Sequence, residues 1–268
     1  DGFVSVVGVN NGSSTTLPAI LCQSCNTISV GIANGSHSAG LTTFDGSGRM
    51  KPDIVAPESV TSWATPMVAG AAGLLYAKLR NDYSITLANL PRVVKALLLA
   101  TATKDTVPDW NNSPTSPLDS IYGAGELNAC LAYTALRTGK ASAGTTTQHK
   151  LRGWAADAVT SSAPKTYYFK IPPGAPSTPF CAALTWHRIV GGSWSTLTTS
   201  TLRNLSLRLY HASGFTLGSQ LAASTSAVDN VELIYQAALP PGDYALRVEN
   251  ATSNSTDFAL AWHSLPAV

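Results

Sequence analysis

A serine that opens an apolar, alanine- and glycine-rich run is the first residue here whose position points to chemistry. In residues 51–75 (KPDIVAPESVTSWATPMVAGAAGLL), Ser62 follows a short β-branched segment and a tight turn. It precedes Thr65-Pro66, a place where the first turn of a helix tolerates proline. A serine hydroxyl alone is a poor nucleophile. At a helix N-terminus its own N–H is free and the helix dipole favours negative charge on an oxygen formed there. The same position suits an ordinary N-cap, and on the residues alone the cap is the preferred reading.

The other candidates are weaker. Asn10, in Val-Asn-Asn-Gly, reads as a turn residue. Cys22-Gln-Ser-Cys25 fits a redox pair, half a zinc site or a local disulfide. Cys130 and Cys181 add no ligand spacing, so a local disulfide or two plain thiols is preferred. Asp229-Asn230-Val231-Glu232 offers oxygen ligands to calcium on a strand edge, although a solvated turn is the simpler reading. No other cofactor or metal is expected. His149, His187, His211 and His263 share no metal-like spacing and are read as surface or edge residues.

Composition narrows the setting. Charged residues make up 12% of the 268, apolar ones 44%, and the formal net charge is +2, with no basic stripe to hold a nucleic acid. The apolar runs are too short to span a bilayer, so no membrane is expected. A hydroxyl-rich surface and sequons at Asn11, Asn34, Asn111, Asn204, Asn250 and Asn254 fit a secreted, extracellular glycoprotein. Asp1-Gly-Phe-Val has no signal-peptide character, which implies a processed start or a fragment.

The elements that must position Ser62 fall in the first half. Residues 3–9 (FVSVVGV), 27–32 (TISVGI) and 53–55 read as short buried strands. Helices are expected over 67–80, 91–102 and 125–136. Gly70 and Gly73 inside the first of them imply a central helix closely approached by its neighbours. Residues 139–147 have linker composition. Beyond them, alternating segments at 167–171, 181–186, 205–210, 231–235, 244–248 and 258–262 predict an antiparallel β-sandwich. Tryptophans at 154, 186, 194 and 262 give that half enough apolar area to fold alone. The reading is thus α/β over 1–138, a linker over 139–147, and an all-β, jelly-roll-like accessory domain over 148–268.

Residues 61–70 (TSWATPMVAG) closely resemble the nucleophile motif of the subtilisin-like serine proteases. Residues 51–57 (KPDIVAP) resemble the segment just upstream of it, and 97–102 and 123–129 (GAGELNA) its next two helical landmarks. Residues 3–12 are similar to the strand and turn that present the family's oxyanion-hole asparagine, which falls on Asn10. The resemblance covers about 1–138 and implies the C-terminal portion of a parallel-sheet protease domain. It implies a catalytic Ser62, an oxyanion bound by the Ser62 N–H and the Asn10 amide, and a protein or peptide substrate. The family's chain order is Asp, His, Ser, so both partners of Ser62 would precede this segment. The N-terminal part of the protease domain is then a required partner, and the chain alone is expected to be inactive. His37, in Gly-Ser-His-Ser-Ala-Gly, mimics the family's histidine motif but lies in a polar turn only 25 positions before Ser62, and is rejected as the base. Two departures stand out. The loop 58–61 is short, and Val60 stands where the family has glycine, which puts the geometry of the serine turn in doubt. The alternative reading is a non-catalytic protein- or glycan-binding module that retains half a protease fold.

Overall fold

Three short parallel strands carry the first half. In the computed structural model, which describes residues 2–193 and 196–264, β1 (Ser5–Gly8), β2 (Thr27–Ile32) and β5 (Ile54–Ala56) form one parallel sheet in the order β1-β2-β5. A small hairpin, β3 (Gly40–Leu41) and β4 (Met50–Lys51), sits between β2 and β5 in sequence. Every residue of β2 is buried, as an uninterrupted β-branched run requires when both sheet faces are covered.

The helices are α1 (Thr61–Asp82), α2 (Leu90–Thr101) and α3 (Ala129–Leu136). The first begins six residues before the sequence expectation, so Pro66 lies inside it. The third is shorter than 125–136 because Glu126 bridges to Val55 and Thr103, leaving Asn128 to cap the helix through Leu131 N–H at 3.0 Å. The central helix is α2. All twelve of its residues are buried, Arg92 and Lys95 included. Gly70 and Gly73 of α1 are instead exposed and have open space where a Cβ would stand. They lie on a bare face with Trp63, Met67 and Leu74, so the expectation that they admit close neighbours is corrected.

The second half is a sandwich. One sheet runs β14 (Val231–Leu239), β9 (Thr178–Trp186), β16 (Thr256–Ser264), β7 (Arg152–Val159). The other runs β13 (Thr216–Ser224), β12 (Leu205–Ser213), β15 (Gly242–Asn250), β8 (Lys165–Ile171), β6 (Gln148–His149). All pairings are antiparallel except β6 with β8. A separate hairpin joins β10 (Val190–Ser193) and β11 (Thr196–Thr199). Besides the short β6, β10 and β11, the strands β7 and β13 had no sequence signal, because alanine, glycine and polar residues dilute their alternation.

The alternation along β7, β9 and β16 explains how the halves join. Ala155, Ala182, Leu184, Leu260 and Trp262 point into the sandwich core. Their neighbours Trp154, Cys181, Ala183, Ala259 and Ala261 join the core of α2. A strand's side chains alternate between faces, so this sheet is apolar on both. Trp154 seals the joint. Its indole N–H donates to Leu136 C=O at 3.0 Å and its ring meets Tyr83 edge-on at 5.1 Å. Trp186 and Trp262 are buried in the sandwich, and Trp194 lies outside the described residues. The expected linker is partly docked, with Ala141 N–H on Trp154 C=O (2.7 Å) and Gly144 N–H on Thr166 C=O (3.0 Å), while residues 144–147 are exposed.

A buried charge network ties the layers together. Asp53 accepts from Lys51 Nζ (2.6 Å), Lys95 Nζ (3.0 Å), and Ser29 through its N–H (2.8 Å) and hydroxyl (2.9 Å). Burial opposes ionisation of Asp53, but the two ammonium groups override it and hold the carboxyl far below its ordinary range. Burial pushes Lys51 down to about 8 despite that carboxylate.

Candidate active site

Asn11 builds the start of α1. Its Oδ1 accepts from Thr61 N–H (2.8 Å) and Thr61 Oγ1 (3.1 Å), capping the helix from fifty residues away. Val60 C=O takes the N–H groups of Trp63 and Ala64, both at 3.1 Å. Of the first four helix N–H groups, that of Ser62 is left without a partner among the described residues. Its carbonyl is also unclaimed by the helix, because Pro66, four residues on, has no N–H to give. The Ser62 side chain is exposed and its hydroxyl has no partner among the described residues. Val60 adopts an ordinary extended conformation (φ −141°, ψ 148°), so a β-branched residue enters the helix here without strain.

Asn10 reaches the same place from the end of β1. Its backbone is held by two bonds to Ser38: its N–H to Ser38 Oγ (3.0 Å) and Ser38 N–H to its carbonyl (2.8 Å). Its side-chain amide donates one N–H to Thr16 C=O at 2.9 Å. Gly8 permits the approach of strand and helix, since a Cβ there would stand 2.5 Å from Thr65 Oγ1. The result is an open groove of about 590 Å3 lined by Asn10, Asn11, Thr61, Ser62, Thr65 and Pro66. None of its lining residues titrates, and none is a base for Ser62. The role of Asn11 escaped the sequence reading. A cap that comes from a distant loop leaves no local signature, and only the fold reveals it.

His37 is committed elsewhere. Its Nδ1 accepts from Ile32 N–H (3.1 Å) and its Nε2–H donates to Ile121 C=O (2.9 Å), which sets the tautomer. The ring lies under Gly31, where a Cβ would fall 2.5 Å from Nε2. Burial pushes its pKa down and keeps it neutral.

Several other sequence candidates are corrected. Asp229, Asn230 and Glu232 are buried and do not form a solvated turn. Asn230 donates to Cys25 C=O (2.7 Å) and Trp186 C=O (2.8 Å), and the two carboxyls are buried beside it. Burial pushes Asp229 up to about 6 and Glu232 up to about 9. His263 is buried and pushed down to about 4 by desolvation, aided by Arg152, so it is not a surface residue. Cys22 and Cys25 are buried free thiols, in keeping with the plain-thiol reading of the sequence, and burial raises their pKa values. Cys22 Sγ donates to Gly8 C=O at 3.1 Å. Asn250 is buried with its amide nitrogen on Val159 C=O (3.0 Å) and Asn254 C=O (2.8 Å), which leaves no room for a glycan. Asn204 is half-buried with an enclosed Oδ1, whereas Asn34, Asn111 and Asn254 are exposed.

Glu232 yields a measurable consequence. Its pKa is raised in the fold from an ordinary 4.5 to about 9, so its stabilising contribution is complete below about pH 4.5 and is lost as pH rises towards 9. Glu232→Gln should leave stability at pH 4 unchanged and raise it by roughly 3 kcal/mol at pH 7. Urea unfolding across that range is the check, and the same pH slope in both proteins would mean that Glu232 is ionised in the fold.

Residues 4–125 match the model of the subtilase family, Peptidase_S8, and that segment is subtilase-related. No curated protein matches the chain. Among solved structures, tripeptidyl peptidase 2 aligns with 98% of this chain and 32% of its own, at 12% identity and a TM-score of 0.33. The pre-peptidase C-terminal domain of a Bacillus anthracis collagenase aligns with 43% of this chain and 91% of its own, at 14% identity and 0.31. Chitosan-binding module 1 of a Paenibacillus sp. IK-5 chitosanase/glucanase aligns with 41% and 75%, at 12% identity and 0.24. This chain spans about a third of the length of tripeptidyl peptidase 2.

Proposed function

We propose that this chain is the nucleophile-bearing C-terminal portion of a subtilisin-type serine endopeptidase, joined to a jelly-roll-like sandwich. Ser62 Oγ attacks the carbonyl of a protein or peptide substrate and forms an acyl-enzyme that water then cleaves. The free Ser62 N–H carries this reading. Among the described residues it is the donor left open at the start of α1, on the same residue as an exposed hydroxyl without a partner. A carbonyl oxygen turned into an oxyanion there would meet that N–H at the positive end of α1. Asn10 lines the same groove, and the second N–H of its amide would complete the hole. The aspartate and histidine come from the N-terminal part of the protease domain. Two features support that partner: the outer edge of β1, unpaired among the described residues, and the apolar face of α1 bearing Trp63, Met67 and Leu74. Exposed sequons at Asn34, Asn111 and Asn254 support a secreted setting. Among the described residues no helix is long and apolar enough to cross a membrane.

The reading predicts a silent chain. The 268-residue polypeptide should hydrolyse no peptide above its Ser62→Ala control, and His37→Ala should not change that result. Hydrolysis that required His37 would overturn the assignment of a missing base. The competing reading, a non-catalytic protein- or glycan-binding module, differs in one outcome. It predicts that a longer polypeptide carrying the N-terminal part also fails to react with a fluorophosphonate probe at Ser62.

A further inference from the structure

A second cleft lies at the opposite end of β1 from Ser62, between the first residues of the chain, the first turn of α2 and the sandwich. Its volume is about 700 Å3, within the range of small-molecule sites, and its lining includes Arg92, Arg188 and Arg203. Their pairing is uneven. Arg188 is satisfied by Asp45 Oδ1 (2.6 Å) and Ser200 C=O (2.8 Å). Arg92 reaches Asp257 Oδ2 at 3.3 Å and Asn89, yet its Nε–H has no partner although its side chain is only 9% exposed. Arg203 forms no ion pair among the described residues, and its Nε–H is likewise buried without an acceptor. Burial, with Arg92 and Lys95 adding to it, pushes His187 on the same wall down to about 3, so it brings no charge.

Among the described lining residues, three guanidinium groups then face the carboxylates of Asp45 and Asp257, which leaves one positive charge uncompensated. Buried donors almost always have acceptors, because leaving one unpaired costs its full desolvation. Incompletely paired guanidinium groups beside one uncompensated positive charge favour an anionic occupant, and guanidinium geometry matches a planar carboxylate. The rim is of opposite character. Phe3, Leu21, Ile189 and Val190 each expose more than half their surface around the opening. We infer that this cleft binds the carboxylate of an organic acid whose adjoining group is apolar, a chemistry shared by peptide C-termini and aliphatic acids. It is separate from the Ser62 groove and does not depend on the role of that serine.

Calorimetric titration of the 268-residue chain tests it with three probes: acetyl-Leu-Phe as the free acid, the same dipeptide as its carboxamide, and octanoate. The free acid should bind at least about tenfold more tightly than the amide. Arg203→Gln should remove about tenfold of that affinity without shifting the thermal midpoint, and Arg203→Lys should lose less. Val190→Asp, at an exposed rim position, should weaken the free acid and octanoate alike. Tighter binding of the dipeptide acid assigns the site to peptide termini, and tighter binding of octanoate assigns it to aliphatic acids. Equal binding of acid and amide, no saturable binding of either acid, or an Arg203→Gln variant that binds like the parent would each overturn the inference.

Discussion

In a polypeptide that also carries the histidine and aspartate, Ser62→Ala should lower peptide hydrolysis about 10⁶-fold and abolish fluorophosphonate labelling. The magnitude follows from the unit behaviour of a nucleophile and its base: removing the serine costs about as much as removing the whole set. What remains comes from the oxyanion donors and substrate binding. Asn10→Ala should cost about 10²–10³ in turnover, the usual effect of losing one oxyanion donor, with no change in stability. Asn11→Ala is a useful contrast. It removes the acceptor that Thr61 uses through both its N–H and its hydroxyl, and should lower stability by about 1 kcal/mol. Labelling that survives in Ser62→Ala would end the peptidase reading. An unchanged rate in Asn10→Ala would show that the amide held by Thr16 does not turn to the oxyanion.

The second large effect concerns the joint between the halves. Trp154→Ala should destabilise the chain by about 3–5 kcal/mol, from a cavity between α2, α3 and β7 and the loss of a donor to Leu136. Because one sheet of the sandwich forms part of the α2 core, both halves should unfold earlier and in one transition. Far-ultraviolet circular dichroism and tryptophan fluorescence during urea unfolding should move together. The sequence-based expectation of a sandwich that folds alone gives way here to a physical objection. Cutting at 139–147 would strip the α2 core from Ala183, Ala259 and Ala261 and expose them to water. A sandwich transition that stayed in place in Trp154→Ala would restore the independent domain.

What the sequence determined was whatever depends on near neighbours in the chain. The β-branched run 27–32 is a strand because its residues pack on both faces, and its bounds were read without error. Pro91 stands in the first turn of α2, and the alternation of 205–210 and 244–248 lies within β12 and β15. The motif around Ser62 marked the residue, and the subtilase match over 4–125 agrees with that segment. Tertiary structure decided what depends on distant partners. A helix cap supplied by Asn11 leaves no trace near Thr61, and a histidine that mimics a motif proves to be a buried link between Ile32 and Ile121. Asp229 and Glu232 look like exposed ligands until residues distant in the chain bury them and make their charged forms costly. The small residues of β7, β9 and β16 read as a weak pattern in one dimension. In three they let a fully buried helix lie against a sheet, because alanine on that face brings two backbones close at little entropic cost.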